Sequence, residues 1–295
     1  MNDSNVGVIG MGIMGRPIAL NLLRAGYAVS VHSRTRAKAD PLIAEGATWR
    51  DSPAALAAET DVVISMVSDS PDVQAVYLSP DGVCAALRPK TLCIDMSTIA
   101  PEMAKLVAAE IARKGGSFLD APVSGGKTGA EAGSLCIMAG GDPRTLERAR
   151  PIFNVLGKTT IHCGPVGHGQ LTKLCNQILC GLNLLAVCEA LVFARKVGLD
   201  AETMLSAVSN GAGGSWALTN LGPRMVRRDF APMFMIDLQQ KDLRIAMAAA
   251  APAAVSLPGT ALVSQLLAAN QAAGEGRDGT QALVKTLERL ARLPG

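Results

Sequence analysis

Residues 6–26 read VGVIGMGIMGRPIALNLLRAG: an apolar run, then Gly10-x-Gly12-x-x-Gly15, then an apolar-periodic helical pattern closed by Gly26. Three spaced glycines alone arise easily by chance. Here they fall at the turn from a buried strand into a helix, where a nucleotide pyrophosphate needs them. Gly10 permits the tight turn, Gly12 lets the pyrophosphate approach the backbone, and Gly15 lets helix and strand pack closely. The helix N-terminus adds free N–H groups and the positive end of its dipole. Gly10, Met11, Gly12, Ile13, Met14 and Gly15 are therefore predicted to cradle a dinucleotide.

The end of the second strand, YAVSVH at 27–32, decides which dinucleotide. An NAD-preferring fold places Asp or Glu there to bond the ribose 2′-hydroxyl. Ser33, Arg34, Thr35 and Arg36 follow instead, and the nearest acids beyond them are Asp40 and Glu45. Two hydroxyls and a guanidinium suit a 2′-phosphate, because Arg presents a planar fork of donors to phosphate oxygens. NADP(H) is expected, with NAD(H) accepted more weakly.

The 295 residues suffice for one large domain or two medium ones. Only 18% of them are charged and the mean hydropathy is +0.27, which describes an apolar globular chain. A net charge of +3 from scattered basic residues, with 3% aromatics, argues against a nucleic-acid partner. The chain enters its first strand almost at once, so no signal peptide is expected and a cytoplasmic location is. The seven cysteines lack CxxC and zinc spacing, and most lie in apolar runs, so they are expected to be small buried hydrophobes with no metal. The apolar stretch 178–194 imitates a membrane span, but Asn183 and Glu189 interrupt it, and a buried central helix is the simpler reading.

Strands are predicted at 6–10, 28–32, 62–67, 92–95, 118–120, 135–139 and 160–162, alternating with helices at 17–24, 53–58, 71–78, 101–114 and 143–156. Such alternation specifies an α/β, doubly wound, mostly parallel sheet of Rossmann type. After Gly164-Pro165-Val166-Gly167 the strand signals stop, and helices are predicted at 169–197, 201–209, 235–250, 259–273 and 280–293. The expected organisation is a nucleotide-binding domain at 1–166 and an all-helical domain at 167–295, entered through a helix of about 43 Å. Lys173, Asn176 and Gln177 share one face at the start of that helix, directed towards the cleft expected between the domains.

Two further segments carry polar chemistry. Asp120-Ala121-Pro122-Val123-Ser124-Gly125-Gly126 leaves a strand and ends in a hydroxyl and two glycines, a turn whose N–H groups can form a nest for a carboxylate. A Cβ on Gly125 is expected to occupy the space of the carboxylate oxygens. Lys241-Asp242 follows the exposed-looking IDLQQ.

With the motifs GMGIMGRPIALNLLRAG, DAPVSGG, GHGQLTKLCNQ (167–177) and QKDL (240–243) in this order, nearly the whole chain resembles the β-hydroxyacid dehydrogenases. The resemblance implies a Rossmann-like domain followed by a helical one, in a homodimer or homotetramer built through the helical part. It implies that Gly10 to Gly15 hold the pyrophosphate, Ser33, Arg34 and Thr35 the adenosine ribose, and Met66, Val67 and Thr98 the nicotinamide half. It assigns Ser124, Gly125 and Gly126 to the substrate carboxylate, Lys173 to catalysis, Asn176 to substrate orientation, and Lys241 to a place near both cofactor and substrate. LTKLCNQ, SWALTNLGPRM (215–225), DLQQKDL and LPGTAL (257–262) look most like the 2-hydroxy-3-oxopropionate reductase branch. The implied reaction is NADPH-dependent reduction of a short aldehyde acid. The alternatives are 3-hydroxyisobutyrate oxidation, reduction of succinic semialdehyde or glyoxylate, or a non-catalytic NADP-binding regulatory module.

Overall fold

A computed structural model describes residues 4–293. Nine strands form one sheet: β1 (Asn5–Ile9), β2 (Ala28–His32), β3 (Thr48–Trp49), β4 (Val62–Ser65), β5 (Leu92–Asp95), β6 (Ser117–Asp120), β7 (Val123–Ser124), β8 (Leu135–Gly140) and β9 (Gly157–Gly164). Their order is β3-β2-β1-β4-β5-β6-β8-β7, with β9 also beside β8. The run from β3 to β6 is parallel, whereas β8 runs antiparallel to β6 and β7 and parallel to β9. The order reverses between β1 and β4, the switch point where open α/β sheets bind ligands beyond the strands' carboxyl ends.

Side-chain alternation separates two cores. Val6, Val8, Ile64, Leu92, Ile94 and Leu119 point into one, while Ile9, Val63, Cys93 and Phe118 from the same strands point into the other. Both faces are thus covered, which is why these strands read as unbroken apolar runs. The helices of this unit are α1 (Gly15–Arg24), α2 (Asp40–Ala44), α3 (Pro53–Ala57), α4 (Ser70–Leu78), α5 (Pro101–Arg113), α6 (Gly126–Glu131) and α7 (Pro143–Leu156). Proline in the first turn pre-sets the backbone, and a preceding side chain caps three of the starts. Ser52 accepts from the Ala55 N–H at 3.0 Å, Asp69 from Ser70 at 2.7 Å, and Asp142 from Arg144 at 2.8 Å.

The chain divides into compact units Met1–Lys173 and Leu174–Gly295. Their boundary lies inside α8 (His168–Lys196), so the start of this helix packs with the first unit and the remainder with the second. The second unit adds α9 (Ala201–Val208), α10 (Trp216–Asn220), α11 (Gly222–Val226), α12 (Ile236–Ala250), α13 (Pro258–Ala272) and α14 (Leu283–Leu290). By length and composition α8 could cross a bilayer, yet Leu184, Val187, Cys188 and Leu191 lie in the core of the second unit. That is the placement expected of a central core helix.

Candidate active site

The turn between β1 and α1 has three different glycines. Gly10 sits at φ +101°, a conformation that disfavours side chains. A Cβ on Gly15 would lie 1.8 Å from the Gly10 carbonyl oxygen, whereas one on Gly12 would meet nothing within 4 Å. Gly15 therefore permits internal packing, and Gly12 leaves the backbone open to an outside group. Met14 provides no side-chain cap to α1, whose first turn carries no acid. Among the described residues the backbone N–H groups from Met11 to Met14 make no hydrogen bond. Open donors at an uncapped helix start suit phosphate. Ser33 is half-buried, and Arg34 and Thr35 are exposed just beyond β2.

Met66, Val67 and Thr98 lie beyond the carboxyl ends of β4 and β5, and a buried network shapes the backbone beside them. The Asp95 Oδ1 accepts from Ser65 Oγ and Ser97 Oγ, each at 2.7 Å, and Ser65 Oγ also pairs with Tyr77 OH at 2.9 Å. Ser97 Oγ in turn accepts the Val67 N–H at 2.9 Å. Past the end of β4 the Met66 N–H still bonds to Ile9 O at 2.9 Å, and the Val67 N–H then turns to this side chain, so the apolar run to Val67 outlasts the strand. Burial pushes the Asp95 carboxyl up to about 6, while the serine hydroxyls pull it back.

An acid held at about 6 keeps its proton in the folded chain between the ordinary carboxylate range and pH 6, where the unfolded chain has lost it. This stabilisation is full in acid and is lost as pH rises through about 6. Asp95→Asn, which mimics the neutral acid, is expected to stabilise the chain by about 3 kcal/mol at pH 8 and hardly at all at pH 4. Urea unfolding at both pH values checks this, and an equal difference at the two would refute it.

Asp120, at the end of β6, fixes the start of α8. Its Oδ1 accepts the Gly167 N–H at 2.7 Å and its Oδ2 the Gln170 N–H at 2.8 Å. Burial raises its pKa, and the two backbone donors oppose that rise. The carboxylate is walled in, since a Cβ on Gly140 would lie 2.5 Å from Oδ1 and one on Gly169 2.8 Å from Oδ2. Gln170, fully buried, donates to Ser97 O at 2.8 Å and accepts from the Ile99 N–H at 3.0 Å. One turn further along this pinned helix stands Lys173, buried at 7% exposure.

Ser124 ends β7, and Gly125 and Gly126 follow with φ +133° and +59°. The reason for glycine at 125 differs from the expected one. A Cβ would meet the Leu135 Cδ2 at 3.2 Å rather than open space, so the positive φ is what disfavours a side chain, and Leu135 would have to give slightly to admit one.

In the second unit, the exposed-looking IDLQQKD segment buries Gln239 and Asp242 on the inner face of α12. Gln177 Nε2 donates to Asp242 Oδ2 at 2.7 Å and to Gln239 Oε1 at 3.3 Å. Gln239 Nε2 donates to Gln177 O at 3.1 Å, and Lys241 Nζ pairs with Asp242 Oδ1 at 2.8 Å. Asn176 donates to Gln177 Oε1 at 2.8 Å and to Cys180 Sγ at 3.4 Å. The amphipathic pattern of α12 was the available signal for Gln239, and the polar cluster on α8 for Gln177.

The cysteines depart from expectation. Cys84, Cys93 and Cys188 are buried, but Cys136 and Cys163 are partly exposed, and Cys175 and Cys180 on α8 are exposed. An apolar run on a long helix covers all its faces, so it does not say which face is inside. Burial pushes the Cys84 thiol up to about 11 and raises those of Cys93 and Cys188 as well, which suits none of them to act as a thiolate. Among the described residues no three His, Cys, Asp or Glu side chains are placed to hold a metal ion.

Residues 5–164 match the NAD binding domain of 6-phosphogluconate dehydrogenase, and residues 167–287 match the family described as NAD-binding of NADP-dependent 3-hydroxyisobutyrate dehydrogenase. The chain is 41% identical over 287 residues to 2-hydroxy-3-oxopropionate reductase of Escherichia coli, covering 97% of this chain and 98% of that one. It is 40% identical over 260 residues to NAD-dependent L-serine dehydrogenase of Pseudomonas aeruginosa, covering 86% and 87%. The structure of Mycobacterium tuberculosis 3-hydroxyisobutyrate dehydrogenase with L-serine superposes with a TM-score of 0.89 at 35% identity, covering 96% of this chain and 99% of that one. NAD(P) fits the open turn at Gly12 and the unpaired N–H groups around it. A Rossmann-like unit, a helical unit and full-length kinship to enzymes of hydroxy acids lead to one assignment: the chain belongs to the β-hydroxyacid dehydrogenases and is an NAD(P)-dependent oxidoreductase acting on CH–OH groups.

Proposed function

We propose that the chain reduces a short 3-oxo carboxylic acid to the 3-hydroxy acid with NADPH, with tartronate semialdehyde, giving glycerate, as its best substrate. The burial of Lys173 carries this reading. A lysine kept out of water on a pinned helix is rare outside functional sites. Gly10 to Gly15 would hold the pyrophosphate, Ser33, Arg34 and Thr35 the adenosine ribose with its phosphate, and Met66, Val67 and Thr98 the nicotinamide half. When bound, NADPH supplies the hydride that the aldehyde carbon gains. Lys173 meets the negative charge developing on the carbonyl oxygen and delivers the proton that completes the alcohol. The N–H groups at Ser124, Gly125 and Gly126 take the substrate carboxylate, and Asn176 and Lys241 orient the substrate. A homodimer or homotetramer built through the second unit goes with this reading, and Leu179, Phe193, Trp216 and Leu290 are exposed there.

Arg34 supports NADPH over NADH. Its side chain is 91% exposed and, among the described residues, is held only by a 3.6 Å ion pair with Asp72, whereas Arg36 is engaged over the Trp49 ring at 5.5 Å. Replacing Arg34 by Gln is expected to raise KM for NADPH about tenfold while leaving that for NADH nearly unchanged. The same NADPH-oxidation assay, run across tartronate semialdehyde, glyoxylate, succinic semialdehyde and methylmalonate semialdehyde, should rank the first highest. Equal use of both cofactors would overturn the phosphate reading, and a preference for methylmalonate semialdehyde would overturn the substrate.

A further inference from the structure

Two acceptors in the second unit fix the Gln177 side chain, a carboxylate directly and a backbone carbonyl through Gln239. The Gln177 backbone carbonyl lies 3.1 Å from the Gln239 amide, so that end of Gln239 must be Nε2 and its Oε1 faces the Gln177 side chain at 3.3 Å. The Asp242 carboxylate, ion-paired with Lys241 Nζ at 2.8 Å, lies 2.7 Å from that same Gln177 nitrogen. Gln177 therefore meets two acceptors at one end, which must be its NH₂ group, and its Oε1 lies at the other. Oε1 is 2.8 Å from the Asn176 amide, which must also turn its nitrogen inward. The second hydrogen on that nitrogen goes to Cys180 Sγ at 3.4 Å, so the bonding capacity left on half-buried Asn176 is its carbonyl oxygen.

We infer that Asp242, Gln239 and Gln177 are positioning residues that polarise Asn176 into an acceptor, so that it selects substrates carrying a hydroxyl or ammonium donor on carbon 2. This inference rests on the reading above in taking Asn176 as a substrate contact. The relay gives a carboxylate oxygen nothing to bind at Asn176. A substrate with hydrogen or methyl on carbon 2 leaves the carbonyl of Asn176 without its donor, which costs affinity.

The test compares glycerate with 3-hydroxypropanoate, which differ only by the hydroxyl on carbon 2, in NADP⁺-dependent oxidation. Wild-type kcat/KM should favour glycerate by about tenfold or more. Gln177→Leu removes the acceptor that holds the Asn176 nitrogen and frees the amide to turn, so the preference should fall below about threefold. General damage to folding would lower both rates together and leave their ratio intact. A wild type that fails to prefer glycerate, or a Gln177→Leu enzyme that keeps the full preference, would overturn the inference. If neither alcohol is oxidised, the proposed reaction is wrong, and neutron diffraction from deuterated wild-type protein still decides the relay. Deuterons of Asn176 directed at Gln177 Oε1 would uphold it, and the opposite orientation would overturn it.

Discussion

Lys173→Ala is expected to lower kcat by about 10²–10⁴ while leaving NADPH affinity within about threefold of wild type. The helix start that carries Lys173 is held by groups the substitution does not touch, namely Asp120 on the N–H groups of Gly167 and Gln170, and Gln170 on Ser97 and Ile99. The cofactor turn lies elsewhere in the sequence, at Gly10 to Gly15. Loss of turnover should therefore separate cleanly from loss of binding. Steady-state kinetics and fluorescence titration with NADPH measure the two. Near-normal turnover in the variant would remove Lys173 from the chemistry, and a parallel loss of cofactor affinity would show its role to be structural.

The second large effect divides two glycines that a motif treats alike. Gly15→Ala places a methyl 1.8 Å from the Gly10 carbonyl oxygen, which is backbone and has no rotamer to escape into. We expect about 1–3 kcal/mol of overpacking, seen as a Tm lower by about 3–10 °C, together with NADPH binding weakened at least about tenfold. Gly12→Ala meets nothing within 4 Å, so Tm without cofactor should stay within about 1 °C. Its methyl would stand where the pyrophosphate approaches, and NADPH affinity should again fall at least about tenfold. Thermal melts with and without NADPH distinguish the cases. If Gly12→Ala bound NADPH normally, the pyrophosphate would lie elsewhere.

Much of this architecture was legible because its signals are local. Apart from β3, the strands of the parallel run fell within a few residues of their predicted positions, as did the proline-led helices α3, α4, α5 and α7, since buried strands and proline-led starts impose composition directly. The pieces not anticipated are short or depend on distant partners. Two-residue β3 and β7 show no periodicity, and β7 exists only because Val123 and Ser124 pair with Ile137 and Cys136 of β8. Helices α10 and α11 are five residues each and lie within the loop-like SWALTNLGPRM. Within the site, the glycines, the lysines and the polar cluster Lys173, Asn176 and Gln177 stood out, whereas the roles of Gln170 and Gln239 did not. A buried glutamine looks like any surface glutamine until distant partners are brought beside it, Ser97 beside Gln170 and Gln177 beside Gln239.

The enclosure of Asp120 by Gly140 and Gly169 has an evolutionary consequence. Positions 120, 140 and 169 form a lock in sequence space. Alanine at either glycine collides with the carboxylate and with backbone as well, since a Cβ on Gly140 would lie 2.7 Å from Gly169 N and one on Gly169 2.4 Å from Met138 O, while losing Asp120 strips the Gly167 and Gln170 N–H groups of their acceptor. Every single step away from this triplet therefore carries a cost. Because the backbone contacts persist whatever stands at 120, no exchange at that position frees the two glycines, and descendants of this chain should keep all three residues.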